Sequence, residues 1–165
     1  MQVTFQGDPI EVKGTQLSVG DKVPNVTLQA RNGDAVELYN FIVDKPVVLS
    51  IVPDVETRTC ELQTKGFAEK LDQEEVIFLT VSRNTYQQFN DWNKEHDLDV
   101  VTLSDNNEEF GREFGLEIDL DGNDLLARAV YLIDTDGVIR YAQIVKEVAD
   151  EPDYDETLEA IRSLS

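Results

Sequence analysis

The chain has 165 residues, of which 41% are hydrophobic, and it carries 34 acidic against 14 basic side chains for a net charge of −20. This length fits a single domain, residues 1–165. No apolar run reaches the roughly 18 residues of a membrane span, and no basic region followed by an apolar stretch marks a secretory signal. The charge argues against nucleic acid and anionic lipid as partners, because both are bound through clusters of Lys and Arg. A solvated acidic surface, adaptation to high salt or a basic partner would each account for the excess negative charge.

Hydrophobic periodicity predicts strands that alternate with helices after an N-terminal β region. The predicted elements are a hairpin (3–5 and 10–12), a second hairpin (26–28 and 35–38), a buried strand (47–52), a helix (61–71), a second buried strand (76–81), a helix (86–96), a short strand (100–103), a short helix (108–114), a final hairpin (129–133 and 138–142) and a last helix (154–164). The order β-α-β-α-β-β-α is the thioredoxin arrangement. We therefore predict an α/β protein with a thioredoxin-like fold, an N-terminal β-hairpin extension and an insertion before the final hairpin.

Cys60 is the only cysteine of the chain, and the pattern places it in the first turn of the helix that follows the first buried strand. Free backbone N–H groups and the positive end of the helix dipole favour a thiolate there. The alternative is inert packing, since a free cysteine is among the most commonly buried residues. A lone cysteine cannot form an internal disulfide, which fits a reducing compartment and predicts a cytoplasmic protein.

Three further residues suggest a site around Cys60. Pro53 and Thr57 precede it in the pattern Pro-x-x-x-Thr-x-x-Cys; the proline ends the strand without offering a donor, and the threonine hydroxyl can reach a sulfur or a bound oxygen. Arg128 lies in an almost wholly apolar stretch, where a guanidinium is costly unless it finds an anion or several acceptors. A thiolate is one such partner; exposure at an edge, or pairing with a carboxylate, is the equally weighted alternative.

Together these motifs resemble the bacterial thiol peroxidases, a branch of the peroxiredoxins, over nearly the whole chain. The matching landmarks are Phe5-x-Gly7-x-Pro9, Val19-Gly20-Asp21, Ser50-Ile51-Val52-Pro53, Thr57-x-x-Cys60 with Gln63-Thr64 and Phe67, Thr102-Leu103-Ser104-Asp105, Leu126-Ala127-Arg128-Ala129-Val130 and Glu151-Pro152-Asp153-Tyr154.

The resemblance implies an oxidoreductase that reduces hydrogen peroxide or small organic hydroperoxides without a metal or prosthetic group. Cys60 would be the peroxidatic cysteine that becomes a sulfenate, Thr57 would orient the substrate, Arg128 would stabilise the thiolate and polarise the peroxide, and Pro53 would shield the pocket. Thioredoxin or another thiol would be the reductant, and a homodimer is expected.

One departure from the family concerns the second, resolving cysteine, whose position here corresponds to Asn93. A one-cysteine enzyme resolved by an external thiol, a redox-sensing or degenerate binding module oxidised at Cys60 without efficient turnover, and an engineered Cys→Asn variant all remain open. A Cys-x-x-Cys disulfide oxidoreductase is disfavoured, because that motif is absent.

Two other signals are set aside. The stretch 119–124 resembles a calcium loop, but it lacks the glycine and the final glutamate of that motif, so it is interpreted as an acidic surface turn. His96, the single histidine, has no neighbouring ligand that would support a zinc site.

Overall fold

The computed structural model describes residues 1–164, and strands and helices alternate through most of this length. In chain order the elements are β1 (Gln2–Phe5), β2 (Asp8–Glu11), β3 (Thr27–Gln29), β4 (Ala35–Glu37), a short 3₁₀ helix (Leu38–Phe41), β5 (Val47–Ile51), α1 (Arg58–Lys70), β6 (Ile77–Ser82), α2 (Tyr86–Glu95), β7 (Val101–Ser104), α3 (Glu109–Phe114), β8 (Glu117–Leu120), β9 (Asn123–Leu126), β10 (Ala129–Ile133), β11 (Ile139–Ile144) and α4 (Tyr154–Ser163).

A seven-stranded sheet with the order β11-β10-β5-β6-β7-β3-β4 forms the centre of the protein. Strands β5, β6 and β7 run parallel, whereas β10 is antiparallel to β5. The crossovers from β5 to β6 and from β6 to β7 contain α1 and α2, as parallel neighbours require. All five residues of β5 are buried, which explains why its sequence is continuously apolar apart from Ser50.

The two faces of the sheet support separate cores, because successive side chains of a strand point to opposite sides. On one face Val47, Leu49 and Ile51 pack with Phe110 and Phe114 of α3 and with residues of the N-terminal hairpin. On the other face one cluster joins Val48 to Phe67 of α1 and Ile161 of α4. A third cluster gathers Cys60 with residues of α2. Cys60 therefore belongs to the helical layer that covers one face.

The structure confirms the predicted thioredoxin-like fold and each of the predicted helices, with ends shifted by up to three residues. The acidic surface turn predicted within 119–124 is present at Asp121 and Gly122. The structure adds that this turn joins β8 and β9, which pair as an antiparallel hairpin that was not predicted. Both turn residues have positive φ, 53° and 83°, as the tightest hairpin turns require. No helix within residues 1–164 is long and apolar enough to cross a bilayer.

Candidate active site

Cys60 occupies the third position of α1, which begins after Thr57 as its N-cap residue. The predicted placement in the first turn of a helix after a core strand is thus confirmed. Its side chain is 0% exposed and packs among Val52, Phe89 and Trp92. A peroxide therefore cannot reach the sulfur unless the surrounding structure opens.

Arg128 reaches the same end of the sheet because β10 runs antiparallel to β5. Ala129, the first residue of β10, pairs with Ile51, the last residue of β5, so the preceding arginine lies beside the loop that leads into α1. Arg128 is 3% exposed. Its Nε donates to the Val148 carbonyl at 2.8 Å and its Nη1 donates to Oε1 of Gln63 at 3.0 Å.

These two bonds exclude one of the alternatives left by the sequence for Arg128, since the side chain neither points to solvent nor pairs with a carboxylate of residues 1–164. Its buried charge is held by two neutral acceptors, and pairing with the Cys60 thiolate stays a prediction. Gln63 was recognised in the sequence only as a family landmark. Its position three residues after Cys60 on the same helix face was the signal for a role in the site.

Pro53 and Thr57 lie in the loop between β5 and α1. Pro53 is buried and follows the strand end, while the exposed Thr57 turns its hydroxyl back to donate to the Asp54 carbonyl at 2.8 Å. The sequence predicted that this hydroxyl would reach a sulfur or a bound oxygen. In the structure its proton is engaged by the loop itself, which leaves its oxygen lone pairs as the part that can receive a hydrogen bond.

Pro53, Thr57 and Arg128 line one open cavity of about 360 Å³ at the N-terminal end of α1. Apolar side chains of Phe5, Leu125 and Val148 contribute to its wall. The cavity thus combines a guanidinium and a hydroxyl with an apolar surface, a combination typical of pockets for small molecules.

The N-terminal hairpin forms part of this wall through a carboxylate clamp. Glu147 accepts hydrogen bonds from the backbone N–H of Gly7 at 2.9 Å, from the N–H of Ala149 at 2.8 Å and from the Thr4 hydroxyl at 3.1 Å. These bonds, led by those from the two backbone N–H groups, lower the pKa of Glu147 from 4.5 to about 2. In the same loop, the Ala149 carbonyl accepts a hydrogen bond from the Thr59 hydroxyl of α1 at 3.0 Å. The hairpin extension is therefore tied to the first turn that carries Cys60.

Another groove lies between the first turn of α1 and the end of α2, and a contact in its lining joins the two helices. His96 Nδ1 lies 3.0 Å from Oε1 of Glu61, and Arg58, which is largely exposed, pairs with the other oxygen of Glu61 at 2.9 Å. Burial acts to raise the pKa of Glu61, but Lys65 and His96 lower it overall. Glu61 thus holds α2 beside Cys60.

Asn93 is completely buried on α2. Its Nδ2 donates to the Phe89 carbonyl and its Oδ1 accepts from the Val100 N–H, both at 3.0 Å. Asn93, which the family resemblance suggests stands in place of a second cysteine, therefore joins α2 to the segment before β7.

A thioredoxin-like sheet, with a lone cysteine in the first turn of its crossover helix and an arginine at the same strand end, defines a thiol-based redox protein. The sequence profile of the Redoxin family matches residues 18–158. The thiol peroxidase of Staphylococcus aureus is 35% identical over 99% of both chains, and that of Staphylococcus saprophyticus is 34% identical over the same share.

Solved structures agree with this relationship. A peroxiredoxin-like protein from Aquifex aeolicus superimposes with a TM-score of 0.90 and 27% identity, covering 99% of this chain and 97% of the other. A thiol peroxidase from Chromobacterium violaceum has the same fold, with a TM-score of 0.91 at 18% identity and coverage of 99% and 96%. The chain belongs to the redoxin family and, within it, to the thiol peroxidases. The enzyme class predicted from the sequence is thereby confirmed, and the non-enzymatic sensor or binding module is not favoured.

Proposed function

We propose that this enzyme reduces hydrogen peroxide or small organic hydroperoxides through Cys60 alone, in a cycle completed by an external thiol. The observation that carries the proposal is the cavity at the start of α1, which Pro53, Thr57 and Arg128 line together. Thr57 lies three residues before Cys60 and Pro53 lies seven residues before it. The Thr57 hydroxyl and the Arg128 guanidinium are the groups that we propose bind the peroxide.

In the first step the Cys60 thiolate attacks one peroxide oxygen, the O–O bond breaks, and the leaving oxygen takes up a proton as water or an alcohol. Thr57 accepts the hydrogen bond of the peroxide O–H, since its own proton is committed to Asp54. Arg128 carries five N–H donors, and those not bonded to Gln63 and Val148 stabilise the charge that develops on the leaving oxygen. The product on the enzyme is a sulfenic acid.

The sulfenic acid is then resolved from outside the chain, because residue 93 is an asparagine. One thiol displaces water from the sulfenic sulfur and forms a mixed disulfide. A second thiol attacks that disulfide and releases Cys60 as a thiol. Thioredoxin or another thiol serves as the reductant.

Access to Cys60 depends on the first turn of α1. The thiol is fully buried, and this turn is held by the bond from Thr59 to Ala149 and by the pair of Arg58 with Glu61. Loosening of the turn exposes the sulfur to peroxide and, later, to the resolving thiol.

The setting of the enzyme follows from the family resemblance and from the lone cysteine. We expect a homodimer, as the family resemblance implies, acting in the cytoplasm, where thiols stay reduced. Sedimentation of the purified chain tests the dimer. Nucleic acid is not a partner of a chain with a net charge of −20.

The experiment that tests the proposal is multiple-turnover peroxide consumption, with dithiothreitol or thioredoxin as the donor. Wild type, Cys60→Ser, Thr57→Val and Thr57→Ser are compared, with Thr135→Val at an exposed turn as the matched control. We expect sustained turnover in wild type, none in Cys60→Ser, a strong loss in Thr57→Val that Thr57→Ser reverses, and no change in the control. A single stoichiometric burst in wild type would reject the catalytic cycle and favour a sensor.

A further inference from the structure

A buried asparagine supports the loop that leads to Cys60. Asn84 follows β6 and is 8% exposed. Its Oδ1 accepts from the backbone N–H of Val55 at 2.9 Å and from the Ser82 hydroxyl at 2.5 Å. Its Nδ2 donates to Oδ1 of Asp54 at 2.9 Å. Both the oxygen and the nitrogen of the side-chain amide therefore form hydrogen bonds with the segment that connects β5 to α1.

The backbone around Asn84 is itself fixed, so the amide is a firm support. Its N–H donates to the Ser82 hydroxyl at 3.0 Å, and its carbonyl accepts from the Ser104 hydroxyl at 2.6 Å. Ser82 and Ser104 are buried residues at the ends of the parallel strands β6 and β7. The ends of two central strands thus determine where the asparagine side chain lies.

Asp54 connects Asn84 to Thr57. The carbonyl of Asp54 accepts from the Thr57 hydroxyl at 2.8 Å and from the Thr57 N–H at 3.1 Å. Asn84 therefore binds the carboxylate of Asp54, and the main-chain carbonyl of the same residue binds the hydroxyl of Thr57, which lines the cavity. Pro53 lies next to Asp54 in the same loop.

We propose that Asn84 is a positioning residue for peroxide reduction, acting through Asp54 on the orientation of Thr57 and Pro53. The inference rests on the proposed function of this cavity. The Asn84 amide suits this position because its oxygen accepts from the Val55 N–H while its NH₂ group donates to the Asp54 carboxylate. An aspartate would keep the acceptor but would place two carboxylates against each other.

The test separates the positioning of peroxide from the general reactivity of the thiol. Two rates are measured for reduced Cys60: oxidation by hydrogen peroxide, followed by the fluorescence of Trp92, and alkylation by iodoacetamide, followed by mass. Alkylation needs no oriented peroxide. The variants are Asn84→Asp and, as the matched control, Asn90→Asp, which changes an asparagine of α2 that bonds Arg31.

In Asn84→Asp we expect the oxidation rate constant to fall by about 10-fold to 100-fold, as for a displacement of about 1 Å at a site, while alkylation is unchanged or faster. Asn90→Asp should leave the ratio of the two rates unchanged. If Asn84→Asp does not fold, Asp54→Ala in the surface loop breaks the same path and should lower the same ratio.

A purely structural role for Asn84 would lower both rates in proportion or neither, and either result overturns the inference. Failure of the proposed function has a different signature, because wild type itself would then show no oxidation of Cys60 by peroxide.

Discussion

Arg128, which lines the cavity, is bonded to the buried Gln63: Nη1 of the arginine donates to Oε1 of the glutamine at 3.0 Å. The other end of the same amide donates to the Ser50 hydroxyl at 2.8 Å. The guanidinium is thereby oriented from β5 and α1 together. In a chain with 34 acidic side chains, Arg128 is held by the neutral acceptors Gln63 and Val148, which do not cancel its charge. This uncompensated charge is what the proposed role of Arg128 toward the leaving oxygen requires.

Gln63→Ala should therefore impair both stability and catalysis. Truncation leaves Arg128 and Ser50 without their buried partner, and an unsatisfied buried polar group costs about 1–3 kcal/mol, more where it is charged. Urea unfolding should show a loss of at least this size. The rate of Cys60 oxidation by peroxide should fall as well, because the guanidinium keeps only its bond to the Val148 carbonyl and is less firmly oriented at the cavity.

Gln73→Ala is the control for this change, since Gln73 is an exposed glutamine near the end of the same helix. It should alter the free energy of unfolding by less than about 0.5 kcal/mol and leave oxidation unchanged. Equal losses in the two variants would contradict the role assigned to Gln63.

Most of the fold could be predicted from periodicity, because its elements are strongly patterned. The continuous apolar run of β5 and the helical spacing of α1 each identify an element, and their junction places Cys60. The hairpin of β8 and β9 was missed, although Asp121-Gly122 is a strong hairpin signal. Its acidic strands carry few of the β-branched and aromatic residues that identify strands.

The site was predicted less completely than the fold, for a physical reason. Pro53, Thr57 and Cys60 share one loop and helix, so their spacing is visible in the sequence. Glu147 accepts from the backbone N–H of Gly7 and from the Thr4 hydroxyl, which lie more than 100 residues away, and Asn84 accepts from the backbone N–H of Val55. Every residue except proline has a backbone N–H, so no residue pattern marks such a contact.

The clamp at Glu147 should make stability depend on pH in a defined window. The pKa of this carboxyl is lowered to about 2 from 4.5, chiefly by the N–H groups of Ala149 and Gly7. A lowered pKa means that the folded state prefers the carboxylate, so its stabilising effect is complete above pH 4.5 and disappears as the pH falls towards 2. Glu147→Gln should be less stable than wild type at pH 7, and the difference should shrink through this window.

Thermal unfolding of both proteins between pH 7 and pH 2.5 measures this difference. Glu113→Gln, which changes an exposed carboxylate of α3, is the matched control and should show a small difference that varies little with pH. If the difference in thermal stability between wild type and Glu147→Gln stays constant or widens in acid, the Glu147 carboxylate is not the clamp.

Asn93→Cys tests whether the missing second thiol is what makes the cycle depend on an external reductant. The substitution removes the acceptor of the Val100 N–H, so the variant should lose about 1–3 kcal/mol of stability. Residue 93 lies on the helix whose Phe89 and Trp92 pack against Cys60, and loosening of the first turn of α1 brings the sulfenic acid within its reach. One equivalent of peroxide should therefore produce an internal disulfide in the variant and a sulfenic acid, captured by dimedone, in wild type.

Lys94→Cys is the control for this variant, because residue 94 is one position further along α2 but exposed. Its thiol lies on the wrong face of the helix, so Cys60 should retain full dimedone labelling. Undiminished labelling in Asn93→Cys would mean that this position cannot resolve Cys60 in the present fold, and that the external thiol is imposed by geometry as well as by the absent cysteine.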